Sequence, residues 1–163
     1  MFQLTQVSLR RLEGVSPRLV AVVMGALKHL PRDMGLMVVE GVRSVARQHE
    51  LYGWGRTAAQ CRAVGVDPAH ARPGLKKVTW VTRSNHNPDK SDGLGHAVDL
   101  APYPLDWSDL SKFDAIARAM FASARELGEE IRWGADWDRD GKPRERGETD
   151  SPHFELAKVK GAS

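Results

Sequence analysis

The chain has 163 residues, 41% of them hydrophobic and 28% charged, with a formal net charge of +3. That length is enough for one domain with a proper core, and the composition excludes a disordered polymer. No apolar run approaches the roughly 18–20 residues of a membrane span, and the single cysteine, Cys61, excludes an internal disulfide and fits synthesis in a reducing compartment.

The charge is unevenly spread. Residues 1–86 carry 13 Lys/Arg against 5 Asp/Glu, a balance of +8, and residues 87–163 carry 11 against 16, a balance of −5. Because the basic residues are scattered, never more than two together and with no aromatic-interleaved cluster, the pattern argues against nucleic-acid binding. The opening stretch MFQLTQVSLRRLEGV has no apolar segment followed by a small-residue cleavage site, so no secretory signal is expected.

In chain order, SPRLVAVVMGALKHLP reads as a helix, with Ser16 able to cap it, Pro17 suited to its first turn and Pro31 beyond its end. GLMVVEGVRS is valine-rich and reads as a strand ending near Gly41. SVARQHELYGWGRT is helical until the turn at Gly53 and Gly55. From Cys61 to Pro88 the chain reads mostly as connection, with a candidate strand at KKVTWVT, and GHAVDLAPY reads as a further strand. SDLSKFDAIARAMFASARELG carries the clearest helical period. Leu110, Phe113, Ile116, Ala117, Met120, Phe121, Ala124 and Leu127 share one face, and Gly128 can terminate the helix. EEIRWGADW and SPHFELAKV read as two strands around a polar loop, 138–150. With no repeat or linker, the expectation is one α+β domain over 1–163, a small antiparallel sheet packed with helices.

The chemistry concentrates in SNHNPDKSDGLGHAVDL, residues 84–100. A catalytic zinc site takes three ligands from His, Asp, Glu and Cys and leaves a position for water. The candidate ligands are His86, His96, Asp99 and His153. In a regular strand His96 and Asp99 face opposite ways, being an odd number of positions apart. Alternation therefore favours His86, on a loop that can fold back over the Asp99 face, unless a bulge intervenes. In DSPHFE, Asp150 precedes His153 by three residues, a spacing that can set a ligand beside a carboxylate, although on that spacing alone a hydrogen-bonded strand histidine is the more ordinary reading. Glu155 shares the strand face of His153 and can orient it or stand as a solvated charge.

The set Ser84, His86, Gly95, Ala97, Asp99 and WGADW…DSPHFE resembles the zinc D,D-peptidase/hedgehog-type family, whose pattern is S-x-H, G-x-A-x-D and D/E-x-x-H. The earlier EGVRSVARQHELYGWGRT is similar to the E-G-x-R-S…Q…L-Y…G-R-T segment of phage endolysins in the L-alanyl-D-glutamate peptidase group. The likeness runs from about Ser8 to Leu156. It implies His86, Asp99 and His153 as ligands of one catalytic zinc ion, Asp150 as general base and Arg43 as the group that stabilises the oxyanion. Ser84 and Gln48 are implied as substrate-positioning residues, whereas Tyr52 and Trp133 read as core or groove lining. One departure stands out: His86 and Asp99 enclose twelve residues where the family has six, so NPDKSD, residues 87–92, reads as an inserted loop that puts the groove's shape in doubt.

DWDRDGKPRERGE, residues 136–148, begins like a calcium loop, with Asp136, Asp138 and Asp140 alternating before Gly141. Its twelfth position is Gly147, Glu148 comes one step late, and no helix follows. The competing expectation is an acidic turn balanced by Arg139, Arg144 and Arg146. The resemblance as a whole implies a zinc endopeptidase that cuts the L-alanyl–D-glutamate bond of peptidoglycan. It would be a monomer with neither nucleic-acid nor membrane partners, made in the host cytoplasm and acting on the wall after release. With no separate wall-binding domain expected, the basic first half would help it meet an anionic wall. The alternatives are a D,D-carboxypeptidase or dipeptidase acting on D-Ala-D-Ala, and a zinc-containing wall-binding module without hydrolysis.

Overall fold

The computed structural model describes residues 1–158; Val159, the last residue of the expected SPHFELAKV strand, and the four residues after it lie outside the described part. In order, the elements are α1 (Gln6–Arg11), α2 (Pro17–Ala26), β1 (Gly35–Glu40), α3 (Val45–Tyr52), α4 (Ala58–Arg62), β2 (Ala97–Tyr103), α5 (Leu110–Leu127), β3 (Ile131–Trp133) and β4 (His153–Leu156). The four strands form one antiparallel sheet in the order β1-β2-β4-β3. This is the α+β arrangement expected from the sequence. No described helix is long and apolar enough to cross a membrane.

One face of the sheet is apolar. Leu36 and Val38 of β1, Val98 and Leu100 of β2, Ile131 and Trp133 of β3, and Phe154 and Leu156 of β4 pack with Leu19, Val22 and Val23 of α2 and Ile116 and Met120 of α5. Each such side chain contributes about 1.5–3 kcal/mol on leaving water. The two long helices meet closely at Gly25, where a Cβ would collide with Ser123 Oγ, itself donating to the Val22 carbonyl. Helix α5 ends on Gly128 at φ 69°, as its sequence position suggests. Leu110 and Leu127, expected on its core face, are instead 45% and 49% exposed; they are the first and last residues of the helix.

The structure departs from the sequence reading at three further points. KKVTWVT forms no strand, since its backbone finds side-chain rather than sheet partners. Helices α1 and α4 have six and five residues, too short to show a period, and are held by Thr5 and Thr57 caps. Ser16 occupies the N-cap of α2 without a side-chain hydrogen bond there, so Pro17 carries that start.

The other face of the sheet is polar. Alternation places His153 and Glu155 of β4 opposite the Phe154/Leu156 side, and register pairs Asp99 with His153. A bulge in β1 between Val38 and Glu40 brings Glu40, rather than Val39, opposite Asp99. Glu40, Asp99 and His153 thus stand in one row across three strands.

Candidate active site

The loop carrying His86 is stapled to the exit of β1. Arg43 N donates to the His86 carbonyl (2.9 Å), and buried Asn87 Nδ2 donates to the Arg43 carbonyl (2.8 Å) while its Oδ1 accepts from Ser84 N. The His86 ring lies 2.8 Å through Nδ1 from the Gly41 carbonyl, which can only accept, so Nδ1 carries the proton and Nε2 presents a lone pair. Gly41 is required here because a Cβ would run into the Arg11 carbonyl.

Nε2 of His86 lies 3.2 Å from Nδ1 of His153, and each is 3.3 Å from Asp99 Oδ1. That oxygen is buried and has no directed hydrogen bond. Three acceptor atoms therefore converge with nothing but a proton to share, which is what a cation-binding triad looks like. The donor atoms of His86, Asp99 and His153 all lie within 4.8 Å of one another and can hold a metal ion. Burial opposes ionisation of Asp99, but the flanking imidazoles of His153 and His86 outweigh it and hold its carboxyl well below the usual range. Burial would likewise lower His153, yet Asp99 and Glu155 prevail and raise it to about 9. Glu155 Oε1 stands 3.6 Å from His153 Nε2, the nitrogen turned away from the triad.

His96 does not join this group. Residues 97–99 pair with β4 in regular register, and His96, just before the strand, turns to Asp92 (Nε2–Oδ2 2.8 Å).

The triad floors a cleft of about 630 Å³ whose walls include Arg43, Trp80, Arg83, Ser84, Trp137, Thr149 and Asp150. Gly134 N donates to the His153 carbonyl and Asp150 N to the Gly134 carbonyl. A Cβ on Gly134 would collide with the Asp150 carbonyl, so glycine is needed for this approach. The Asp150 carboxylate makes no hydrogen bond among the described residues. Desolvation by the cleft walls, with the charge of Asp99, pushes it above the usual range against His153, His86 and Arg43. Trp137 covers one side of His153, their ring centroids 5.4 Å apart.

Arg43 is fixed by Glu40 and Gln48. Nε and Nη2 donate to the two Glu40 oxygens (2.7 Å each), and Nη1 donates to Gln48 Oε1 (2.8 Å). The hydrogen bond to Glu40 also raises its pKa, so it stays charged. Gln48, expected to position substrate, is fully buried and spends its amide on Arg43, Thr79 Oγ1 and the Val81 carbonyl. It has no surface with which to touch a substrate and acts as a brace. Ser84 does line the cleft, and its Oγ accepts from His86 N. Trp133 is core, stacked on Phe154, and Tyr52 lies under the Arg56 guanidinium. Glu40, Asn87 and Trp137 went unread. Only Glu40 had a signal, three residues before Arg43 in EGVRS.

A model of the phage L-alanyl-D-glutamate peptidase family matches residues 1–157. The L-alanyl-D-glutamate peptidase of Escherichia phage T5 is 32% identical over 162 residues, 95% of this chain and 98% of that protein. Among solved structures, the Serratia marcescens L-Ala D-Glu endopeptidase ChiX is similar with a TM-score of 0.62 and 31% identity, covering 94% of this chain and 88% of that one. Fold and cleft together define a small α+β peptidase. The chain belongs to the phage L-alanyl-D-glutamate peptidase family.

Proposed function

We propose that the chain is a zinc-dependent endopeptidase that hydrolyses the L-alanyl–D-glutamate bond of peptidoglycan stem peptides and so lyses the host wall. The observation that carries this reading is the convergence of His86 Nε2, His153 Nδ1 and Asp99 Oδ1 beside an uncommitted Asp150. Two imidazoles and one carboxylate are a zinc-type ligand set with room for a fourth. Zinc, when bound, acidifies water and polarises a carbonyl. The chain's residues do the rest. Asp150 accepts the proton of the attacking water and returns it to the departing D-glutamate amine. Arg43, locked by Glu40 and Gln48, faces the negative charge that develops on the carbonyl oxygen. Gly41 and Glu155 hold the far nitrogens of the two histidines, which sets ring orientation. Asp150→Ala should lower wall lysis by roughly 10²–10⁴-fold with zinc content unchanged; full activity in that variant would contradict the assignment.

A calcium site in the 136–148 loop is the second part of this proposal. Asp136 and Asp138 gather with Glu148, and Asp138 also gathers with Asp140 and Glu145. The left-handed turn at Gly147 (φ 84°) absorbs the extra residue, and Glu148 Oε1 accepts from Asp138 N while Oε2 is buried without a partner. The neighbouring arginines do not neutralise the cluster: Arg139 pairs with Glu130 and Arg144 with Asp114, leaving Lys142, 3.8 Å from Asp140, as the nearest cation bridge among the described residues. A buried acceptor and surplus negative charge suit a hard cation. Calcium at about 100 times its Kd should raise Tm by roughly 5–10 °C, and Glu148→Gln should abolish the rise; an unchanged Tm in the unsubstituted protein would end the idea.

A further inference from the structure

Trp80 is 73% exposed on the rim of the cleft, flanked by Val78 and Val81 at 48% each. Leaving an indole in water forgoes a large burial gain, and a contiguous apolar rim beside a reaction cleft marks a contact surface. The segment under it is braced from inside. Buried Gln48 donates to Thr79 Oγ1 (3.1 Å) and to the Val81 carbonyl (2.8 Å), and buried Arg56 donates to the Thr79 carbonyl (2.9 Å). Arg56 has no carboxylate partner among the described residues, so its charge is spent on backbone carbonyls and the Tyr52 ring. Two buried polar side chains thus hold both neighbours of a solvent-facing tryptophan. Gln48 holds Arg43 as well, which fixes the indole relative to the polar end of the cleft.

The chemistry of the substrate says what such a ring would meet. In peptidoglycan the L-alanine amine is acylated by the lactyl group of an N-acetylated sugar. A cut after that alanine therefore leaves one residue, at most about 3.6 Å of extended chain, between the scissile carbonyl and the sugar substituent. A cleft that accepts this bond must also accommodate glycan on its alanine side. Pyranose rings offer flat C–H faces that stack on indole, and their hydroxyls stay in water, which suits a ring open on one side.

We propose that Trp80 is a glycan platform that stacks on the sugar bearing the stem peptide and makes the enzyme prefer wall-linked peptide to free peptide. The inference rests on the peptidase reading above. Its test compares two substrates for the wild-type zinc enzyme, Trp80→Ala and Trp80→Phe: a disaccharide-linked stem peptide, and the same peptide with an acetyl group in place of the sugar. Trp80→Ala should lose roughly tenfold in kcat/KM on the disaccharide substrate, with Trp80→Phe recovering part of the loss and a smaller loss on the acetyl-peptide. Equal losses on both substrates, or none on either, would overturn the proposal. A second readout needs no catalysis. The indole N–H signal that disappears in Trp80→Phe should shift when the peptide-free disaccharide with its lactyl-bearing sugar is added to metal-free protein, and a signal that stays put counts against the platform. A wild type that cleaves neither substrate would overturn the peptidase reading instead, and the indole titration would still decide the sugar contact.

Discussion

His153 turns Nδ1 toward Asp99 and His86 and Nε2 toward Glu155, and with its pKa raised to about 9 it is protonated at neutral pH in the metal-free protein. A metal ligand must be neutral, so ion and proton compete for the same nitrogen. Calorimetric titration of zinc into metal-free protein near pH 7.5, repeated in buffers of different ionisation enthalpy, should show about one proton released per ion. A buffer-independent heat would mean that His153 is already neutral. The same raised value fixes a stability trend. Its contribution is fully present below the ordinary histidine value, 6.5, and is lost as pH rises through about 9. Metal-free protein should therefore melt at falling temperature over that interval, while saturating zinc should flatten the curve. Asp99 acts in the opposite sense, contributing above the usual carboxylate range and failing only on acidification.

At the scale of elements, the cleft depends on close backbone approaches more than on any single contact. The bulge in β1 aligns Glu40 with Asp99, and Gly134 lets the Asp150 segment lie against β3's exit. Gly134→Ala should cost about 1–3 kcal/mol by overpacking and reduce activity, because the residues displaced are Asp150 and His153; unchanged denaturation and rates would show that the loop yields freely. Gln48→Leu should cost roughly 1–3 kcal/mol for the buried donor it orphans on Arg43, with a larger loss in kcat than in zinc affinity. The inserted loop has its own closure, Asp89 N donating to the Leu94 carbonyl and Gly93 N to that of Asp89, and none of residues 87–92 lines the cleft. Only Asn87 at its start is buried, tied to Arg43 and Ser84, and the remainder closes on its own backbone beside the cleft.

Across the whole molecule, periodicity revealed what packing enforces. The stripe of α5 and the valine-rich β1 and β2 were legible because each must bury a face. Strand alternation also separated His96 from Asp99, a matter of backbone geometry alone. What could not be read was set by distant partners. Gln48 looked available for substrate until the 79–81 segment, 31 or more residues away, was seen to consume its amide. KKVTWVT has the composition of a strand, but no sheet edge receives it. Glu148 meets Asp136 and Asp138 across the left-handed turn at Gly147, a proximity that linear counting does not include.

The central claim is a metal-dependent cut between L-alanine and D-glutamate, and it is tested most directly by mass spectrometry of purified peptidoglycan digested with and without a chelator. Glycan strands that keep a single L-alanine and peptides that begin with D-glutamate should appear, and both should be absent when chelator is present. Loss of a terminal D-alanine alone, or the same digestion in chelator, would contradict it.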